Sequence, residues 1–426
     1  VTTAGAEPRP RSLRRNFTSV LGANTLYRLS QWLLIAFIAQ WGTKEMVGYF
    51  ALAQAITAPV YLTVGLNLRA ARATDVSRRW TASQYGSLRE ILNAASLLLS
   101  CALAWLVSPS IDFLLLVAAV AWSKASEASS QLSYGYWQLR ERLDLMSRSL
   151  YLRSALGAAS FAAVFWFTRD LLWGCVVMAL GWTLVTVLHD RPVEARLRRD
   201  DPADSPMPEA GATRASLARE ALPLGVTAGI SSVTLNIPRY ALQFFLGTGS
   251  LGLFAALAYL GQTISMVTGS LADSMIARLA RAAQAGRRRQ FLRNLGILAG
   301  FSCAVSLVVL LGAAAVGAPM TRLLLGEEYV NQPVLLTLLA GAAFATLQRV
   351  LGRGLQGGRR FREFLIMNGV TAVGALVAAV TLIPNWGLMG AALTSGLGFF
   401  LGCLVGLYYI WRMVQRMKPI EAAEAP

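Results

Sequence analysis

Residues 42–56 read GTKEMVGYFALAQAI, and residues 247–260 read GTGSLGLFAALAYL. Gly42-Thr43 matches Gly247-Thr248 at an offset of 205. Gly48-x-Phe50-Ala51 matches Gly252-x-Phe254-Ala255 at an offset of 204. In a chain of 426 residues that offset is close to half the length, so the pattern predicts two related halves. Each copy sits at the start of an apolar run, which places the repeat at the entry to a helix.

Composition says what kind of helix. Apolar residues make up 55% of the chain and charged residues only 14%, against about 25% charged in a typical soluble domain. An all-α, polytopic membrane protein is the expectation. Counting apolar segments of roughly 20 residues places twelve spans. They run near 17–41, 46–68, 88–107, 112–136, 149–168, 171–189, 220–246, 250–274, 294–316, 333–352, 364–383 and 387–411. Punctuation at Gly42-Thr43, Ser108-Pro109, Arg169-Asp170 and Pro384-Asn385 supports the ends.

The net charge of +17 then acquires a topological meaning. With the N-terminus inside, 33 of the 39 lysines and arginines fall in inner segments or at the inner ends of spans, three in outer loops (Lys44, Arg169, Arg322) and three deeper within spans (Arg28, Lys124, Arg239). The positive-inside rule then sets both termini in the cytoplasm. A nucleic-acid partner loses its main support, because a run such as GRRRQF (286–291) reads as an inner loop. The expected divisions are a basic tail (1–16), an N-terminal lobe of six spans (17–189), a flexible linker (190–219), a C-terminal lobe of six spans (220–412) and a short tail (413–426). The linker reading rests on four prolines and mixed charge. An even number of spans per half gives both lobes one orientation, an arrangement that transporters use to hold substrate between lobes. The first sixteen residues, polar and arginine-rich, do not read as a cleavable signal peptide.

Polar residues inside spans mark the candidate site. In NTLYRLSQWLLIAFIAQ (24–40), Asn24, Arg28 and Gln31 recur at helical spacing on one face. Arg28 lies eleven residues into its span, roughly 16 Å deep at 1.5 Å per residue. A charge at bilayer depth costs about 2.5–3.5 kcal/mol on insertion scales and so faces the bundle interior or water. SKASEASSQ (123–131) makes the inner half of the fourth span polar, with Lys124, Glu127 and Gln131 as candidate cavity residues. Arg239 follows Pro238 in the seventh span. Three cations stand against one clear mid-span carboxylate, and such a surplus attracts phosphates. Plainer readings stay open: Glu127 pairs with Lys124 or with Arg28, and Arg239 snorkels to the surface. Pro59 and Pro238 can kink their helices and are candidate gating points.

Four cysteines without CxxC spacing and a single histidine, His189, point to neither a disulfide framework nor a metal site. No GxxxxGK[ST] is present, so no ATPase is built in. No cofactor, catalytic residue or metal ligand is expected, and the protein reads as a non-enzyme.

Residues 21–75 (LGANTLYRLSQWLLIAFIAQWGTKEMVGYFALAQAITAPVYLTVGLNLRAARATD) and 237–260 (IPRYALQFFLGTGSLGLFAALAYL) resemble bacterial polysaccharide flippases of the Wzx type. That family belongs to the multidrug/oligosaccharidyl-lipid/polysaccharide exporter superfamily. The resemblance implies two six-helix lobes of MATE-like fold, alternating access, and residence in the bacterial cytoplasmic (inner) membrane. The implied cargo is undecaprenyl-diphosphate-linked oligosaccharide, moved from inner to outer leaflet for O-antigen, capsule or exopolysaccharide. Implied partners are that lipid-linked substrate, membrane lipids and other membrane proteins of polysaccharide assembly. Arg28, Lys124 and Arg239 fit a diphosphate in kind, since a guanidinium offers a planar fork of donors to phosphate oxygens; Asn24, Gln31, Glu127 and Gln131 would line the cavity. Two rivals remain: a cation-coupled multidrug exporter of the same superfamily, and a membrane polysaccharide polymerase or ligase.

Overall fold

The computed structural model describes residues 13–75, 78–199 and 211–417, and among these there are helices and no strand. In chain order they are α1 (Leu13–Trp41), α2 (Lys44–Thr63), α3 (Leu68–Thr74), α4 (Ala82–Val107), α5 (Ile111–Leu139) and α6 (Leu143–Thr168). Then come α7 (Leu171–Val185), a π-helical turn (Thr186–Asp190), α8 (Arg191–Arg199), α9 (Arg214–Gln284), α10 (Arg288–Leu325), α11 (Gln332–Gly357) and α12 (Phe361–Gln415). Helices satisfy every backbone donor and acceptor within one segment, which is what hydrocarbon demands of a spanning chain. Eight helical stretches of the described residues are long and apolar enough to cross a membrane. Their large outward side chains are apolar too: Phe167 is 84% exposed, Phe244 81% and Leu106 79%. In water such a surface would aggregate; here it faces lipid, and the protein is a multi-pass membrane protein.

Local chemistry sets the helix ends. Thr81 and Gln84 form a capping box that opens α4, and Asp170 accepts from the backbone of Leu172 and Trp173 to open α7. Asn331 caps α11, with Pro333 in its first turn. Two long helices are each broken once. Gly247 in α9 (φ 79, ψ −178) and Gly387 in α12 (φ 54, ψ −128) hold backbone angles that a β-carbon would strain. The stop expected at Pro384-Asn385 is therefore displaced: both residues are helical, and the chain turns at Gly387.

The segment expected to be a linker also differs at its start. The π-helical turn carries α7 directly into α8, because Asp190 is fully buried and Glu194 is ion-paired to Arg72 at 2.5 Å. Residues 200–210 of that segment lie outside the described residues.

By packing, the chain forms two compact units. One comprises the residues up to Leu34 together with Ile56–Ile230; the other comprises Ile35–Ala55 together with the residues from Ser231 onward. Residues 35–55, expected with the first half, thus pack in the second unit, and 220–230 pack in the first. Small residues explain both assignments. In the first unit Gly225 and Gly229 press against Thr63 and Leu66, where added β-carbons would collide with Thr63. The second unit has its main core where α10, α11, α12 and the end of α9 meet, around Leu279, Phe291, Leu298, Leu351, Leu355 and Met367.

The sequence repeat is itself a contact within the second unit. A β-carbon on Gly48 would lie 2.1 Å from the Thr248 carbonyl oxygen, and one on Gly252 would lie 2.0 Å from the Lys44 carbonyl oxygen. Residues 44 and 248, like 48 and 252, are equivalent at the offset of 204 read from the sequence. The two copies of the motif therefore cross reciprocally, each glycine against the other copy's backbone. Close approach of this kind is how helices pack in a bilayer, where burial of apolar surface supplies little drive.

Gly48→Leu or Gly252→Leu should lower the thermal midpoint of the purified protein in detergent, by the equivalent of about 1–3 kcal/mol for overpacking. Gly86→Ala, at a position on α4 with open space around it, should leave the midpoint unchanged or raise it.

Candidate functional site

The first unit holds a dense buried polar cluster, and α5 is its spine. Ser123, Ser126, Ser130 and Ser133 recur at three- and four-residue intervals and are all buried, so they form one polar stripe. Opposite this stripe stand Arg153 of α6 and the end of α7. Arg153 is 1% exposed and Asp190 0%. The Arg153 guanidinium donates to Ser130 Oγ and, at 3.0 Å, to Thr186 Oγ1. Ser130 in turn donates to Asp190 Oδ2 at 2.5 Å. Arg153 and Asp190 are themselves 3.9 Å apart, so the serine hydroxyl relays an ion pair held slightly too wide for a strong direct bond. The guanidinium also lies 5.1 Å from the centre of the Trp182 ring, a cation–π contact strengthened by the absence of water. The π-helical turn is what rotates Asp190 inward and brings His189 Nδ1 to 2.8 Å of its other oxygen.

The expected site residues are placed as follows. Lys124 and Glu127 are ion-paired at 3.1 Å and roughly one-fifth exposed, so the plainer of the readings held open for them is the one realised. Tyr27 of α1 and Arg153 both lie within electrostatic range of Glu127. Gln131 accepts from Arg69 at 2.6 Å, and Arg69 lies over the Tyr134 ring. Asn24 donates back to the Val20 carbonyl of its own helix at 3.0 Å. Arg28 is exposed on α1 and makes no ion pair or hydrogen bond among the described residues; half-buried Gln31 makes no hydrogen bond there either. In the second unit Arg239 donates to Asn236 at 2.9 Å and lies 5.2 Å from the centre of the Tyr259 ring. No carboxylate neutralises it among the described residues. Pro59 lies inside α2 and Pro238 inside α9, both buried. The structure thus joins Lys124, Glu127 and Gln131 to the α5 cluster. Arg239 lies in the other unit.

Several residues of the cluster were not singled out from the sequence. Arg69, Arg72, Arg89 and Arg153 were counted as inner-loop charges, yet Arg72, Arg89 and Arg153 are each buried. Arg72 pairs with Glu194, which also accepts from Ser133 at 2.7 Å. One signal was present for Arg153, which falls four residues inside the apolar segment 149–168, beyond a simple flanking position; Arg89, at the edge of 88–107, carried none. Chemically, the cluster is a preorganised set of donors and paired charges with no nucleophile–base pair. It can hold charge and fix helix positions.

No family model matches the chain. It is 23% identical over 413 residues to a capsular polysaccharide biosynthesis protein of Staphylococcus aureus, CapF, across 94% of this chain and 99% of that one. Its structure is similar to that of the lipid II flippase MurJ in an inward closed conformation, with a TM-score of 0.68 and 12% identity over 93% of this chain and 88% of that chain. It is equally similar to an inward-facing multidrug-resistance MATE transporter of the MOP superfamily, with a TM-score of 0.66 and 14% identity over 93% and 96%. The resemblance read from residues 21–75 and 237–260 is borne out, and the fold is that of MurJ and the MATE transporters.

Arg153→Met and Asp190→Asn should each destabilise the protein by about 3–5 kcal/mol, because either leaves a buried charge or its donors unpaired. The double variant should lose less than the sum, which a double-mutant cycle of unfolding in detergent would read.

Proposed function

We propose that this protein is a flippase. It would move undecaprenyl-diphosphate-linked oligosaccharide from the inner to the outer leaflet of the bacterial cytoplasmic membrane by alternating access, for surface polysaccharide assembly. The observation that carries this reading is the end-to-end match to a capsular polysaccharide biosynthesis protein in a chain that shares its fold with a lipid II flippase. In the proposed topology, twelve crossings in two six-helix lobes (17–189 and 220–412) leave both termini in the cytoplasm. The protein itself would catalyse no bond-making.

The physical task is specific. The cargo's lipid tail can stay in the bilayer, but its diphosphate and sugars cannot cross hydrocarbon unaided. Cations that lack a carboxylate partner suit that task, and among the described residues Arg28 and Arg239 are of this kind. Lys124 is shared with Glu127, so its contribution would be to widen the polar wall along with Asn24, Gln31 and Gln131. Pro59 and Pro238 would let α2 and α9 bend as access alternates. The likeness to a MATE transporter favours a second reading, a cation-coupled drug exporter, in which the Glu127 carboxylate would be the cation ligand.

In cells depleted of the protein, mass spectrometry of polyprenyl-diphosphate lipids should show complete repeat units accumulating. Wild type should clear them, and Arg28→Ala and Arg239→Ala should each clear them at least tenfold more slowly. An unchanged lipid pool together with new drug sensitivity would overturn the flippase and favour the exporter.

A further inference from the structure

Among the described residues three arginines are buried, Arg72, Arg89 and Arg153. Two have carboxylate partners: Glu194 for Arg72 and Asp190 for Arg153. Arg89, 4% exposed, has none. It makes no hydrogen bond or ion pair among the described residues, and its Nε is buried without an acceptor. The acidic group that acts on it, Glu90, points elsewhere: its carboxylate is 58% exposed and bonded to Arg191. An unpaired guanidinium out of water is a costly object.

Its surroundings are equally unpaired. Arg89, Asn93 and Ser96 fall one per turn on one face of α4, about 10 Å from first to last. Asn93 gives its amide N–H to Ala125 and Ser129 of α5, but its Oδ1 is buried without a donor, and Ser96 Oγ is buried without any partner. From α2, the buried Tyr61 phenol is likewise unpartnered and lies within electrostatic range of Arg89. The guanidinium rests against the break between α2 and α3, where a β-carbon on Gly65 would lie 3.2 Å from Arg89 Nη1. That break is strained: Leu66 (φ 55) and Asn67 (φ 45) both take left-handed backbone angles without being glycine.

We propose that Arg89, Tyr61 and Ser96 form a phosphoryl-binding subsite in the first unit, with Asn93 Oδ1 accepting from a neighbouring hydroxyl of the ligand. The donor set fits an oxyanion: a fork of N–H groups on a side chain only 4% exposed, with a phenol and a serine hydroxyl that are buried and unpartnered, in a medium where charge-assisted bonds are strong. A single acceptor beside three donors fits a phosphate carried next to a hydroxyl-bearing carbon, as in a sugar phosphate or a glycerophospholipid headgroup. Arg153 shows the contrast: its Nε and Nη1 also lack acceptors, but the Asp190 carboxylate 3.9 Å away, bridged by Ser130, balances its charge. If the chain is a flippase, this subsite meets the cargo's diphosphate. The binding chemistry itself does not require that reading.

The test uses the purified full chain in nanodiscs, with thermal midpoint as the readout. In phosphatidylcholine discs, millimolar inorganic pyrophosphate should raise the wild-type midpoint beyond a sodium chloride control of equal ionic strength. Arg89→Met should abolish that rise, Tyr61→Phe should reduce it severalfold, and Arg191→Gln should retain it. A rise seen only on replacing phosphatidylcholine by phosphatidylglycerol, and lost in Arg89→Met, would assign the site to lipid headgroups. The sign of one change is decisive. Without anion, Arg89→Met should melt higher than wild type, since it removes an uncompensated charge, whereas a structural arginine would make it melt lower. A lower midpoint for Arg89→Met, or no anion response in either disc, overturns the proposal. The lipid-pool experiment above stands or falls separately, since it reads transport and not this subsite.

Discussion

The desolvation of Arg153 is the constraint around which the first unit is built. A guanidinium 1% exposed must have its charge answered inside the protein, and no single neighbour does so. The answer is assembled from Ser126 and Ser130 of α5, Trp182 of α7, and Thr186 and Asp190 of the π-helical turn. Because these come from two stretches of chain, α5 and the run from α7 into the π-helical turn, and Arg153 itself from α6, satisfying one charge fixes the mutual positions of α5, α6 and α7. The turn at 186–190 is helical but wound wide, the geometry that swings Asp190 to the inside. From there α8 runs on, and Glu194 repeats the device one turn further with Arg72 and Ser133.

The second unit is held by a different means. Its crossing at Gly48 and Gly252 relies on absence of side chain, with backbone laid against backbone. In lipid the two devices suit their places. Close glycine contacts gain dispersion without exposing polar groups, while a buried ion network adds specificity and costs desolvation. Each device makes the helices it joins move together. The strained, non-glycine break at Leu66-Asn67 stands apart from both, beside Arg89, the buried arginine that has no ion pair among the described residues.

Much of this was legible beforehand, and for identifiable reasons. The apolar runs and their punctuation gave helices whose ends fall close to Gly42-Thr43, Ser108 and Arg169-Asp170. The repeat at 42–56 and 247–260 pointed to related halves, and the structure turns it into a physical crossing. The polarity of SKASEASSQ singled out α5, and α5 is the spine of a polar cluster whose serines are buried and bonded within the protein. Within the cluster the reading was less complete. Lys124 and Glu127 were seen, but Arg153, Asp190 and Glu194 were assigned to loop or linker, because a charge near a helix end looks the same whether it reaches water or folds inward.

The sequence by itself therefore determined the helical class, the membrane setting and the existence of two copies of one motif, since these follow from hydropathy and spacing along the chain. Tertiary structure alone decided which cations are neutralised. That depends on which carboxylate or hydroxyl arrives from another helix: Asp190 reaches Arg153 through Ser130, Glu194 reaches Arg72, and among the described residues none reaches Arg89. The energy of a buried charge is set by its partners across helices, and those partners lie as many as 122 residues away in the chain.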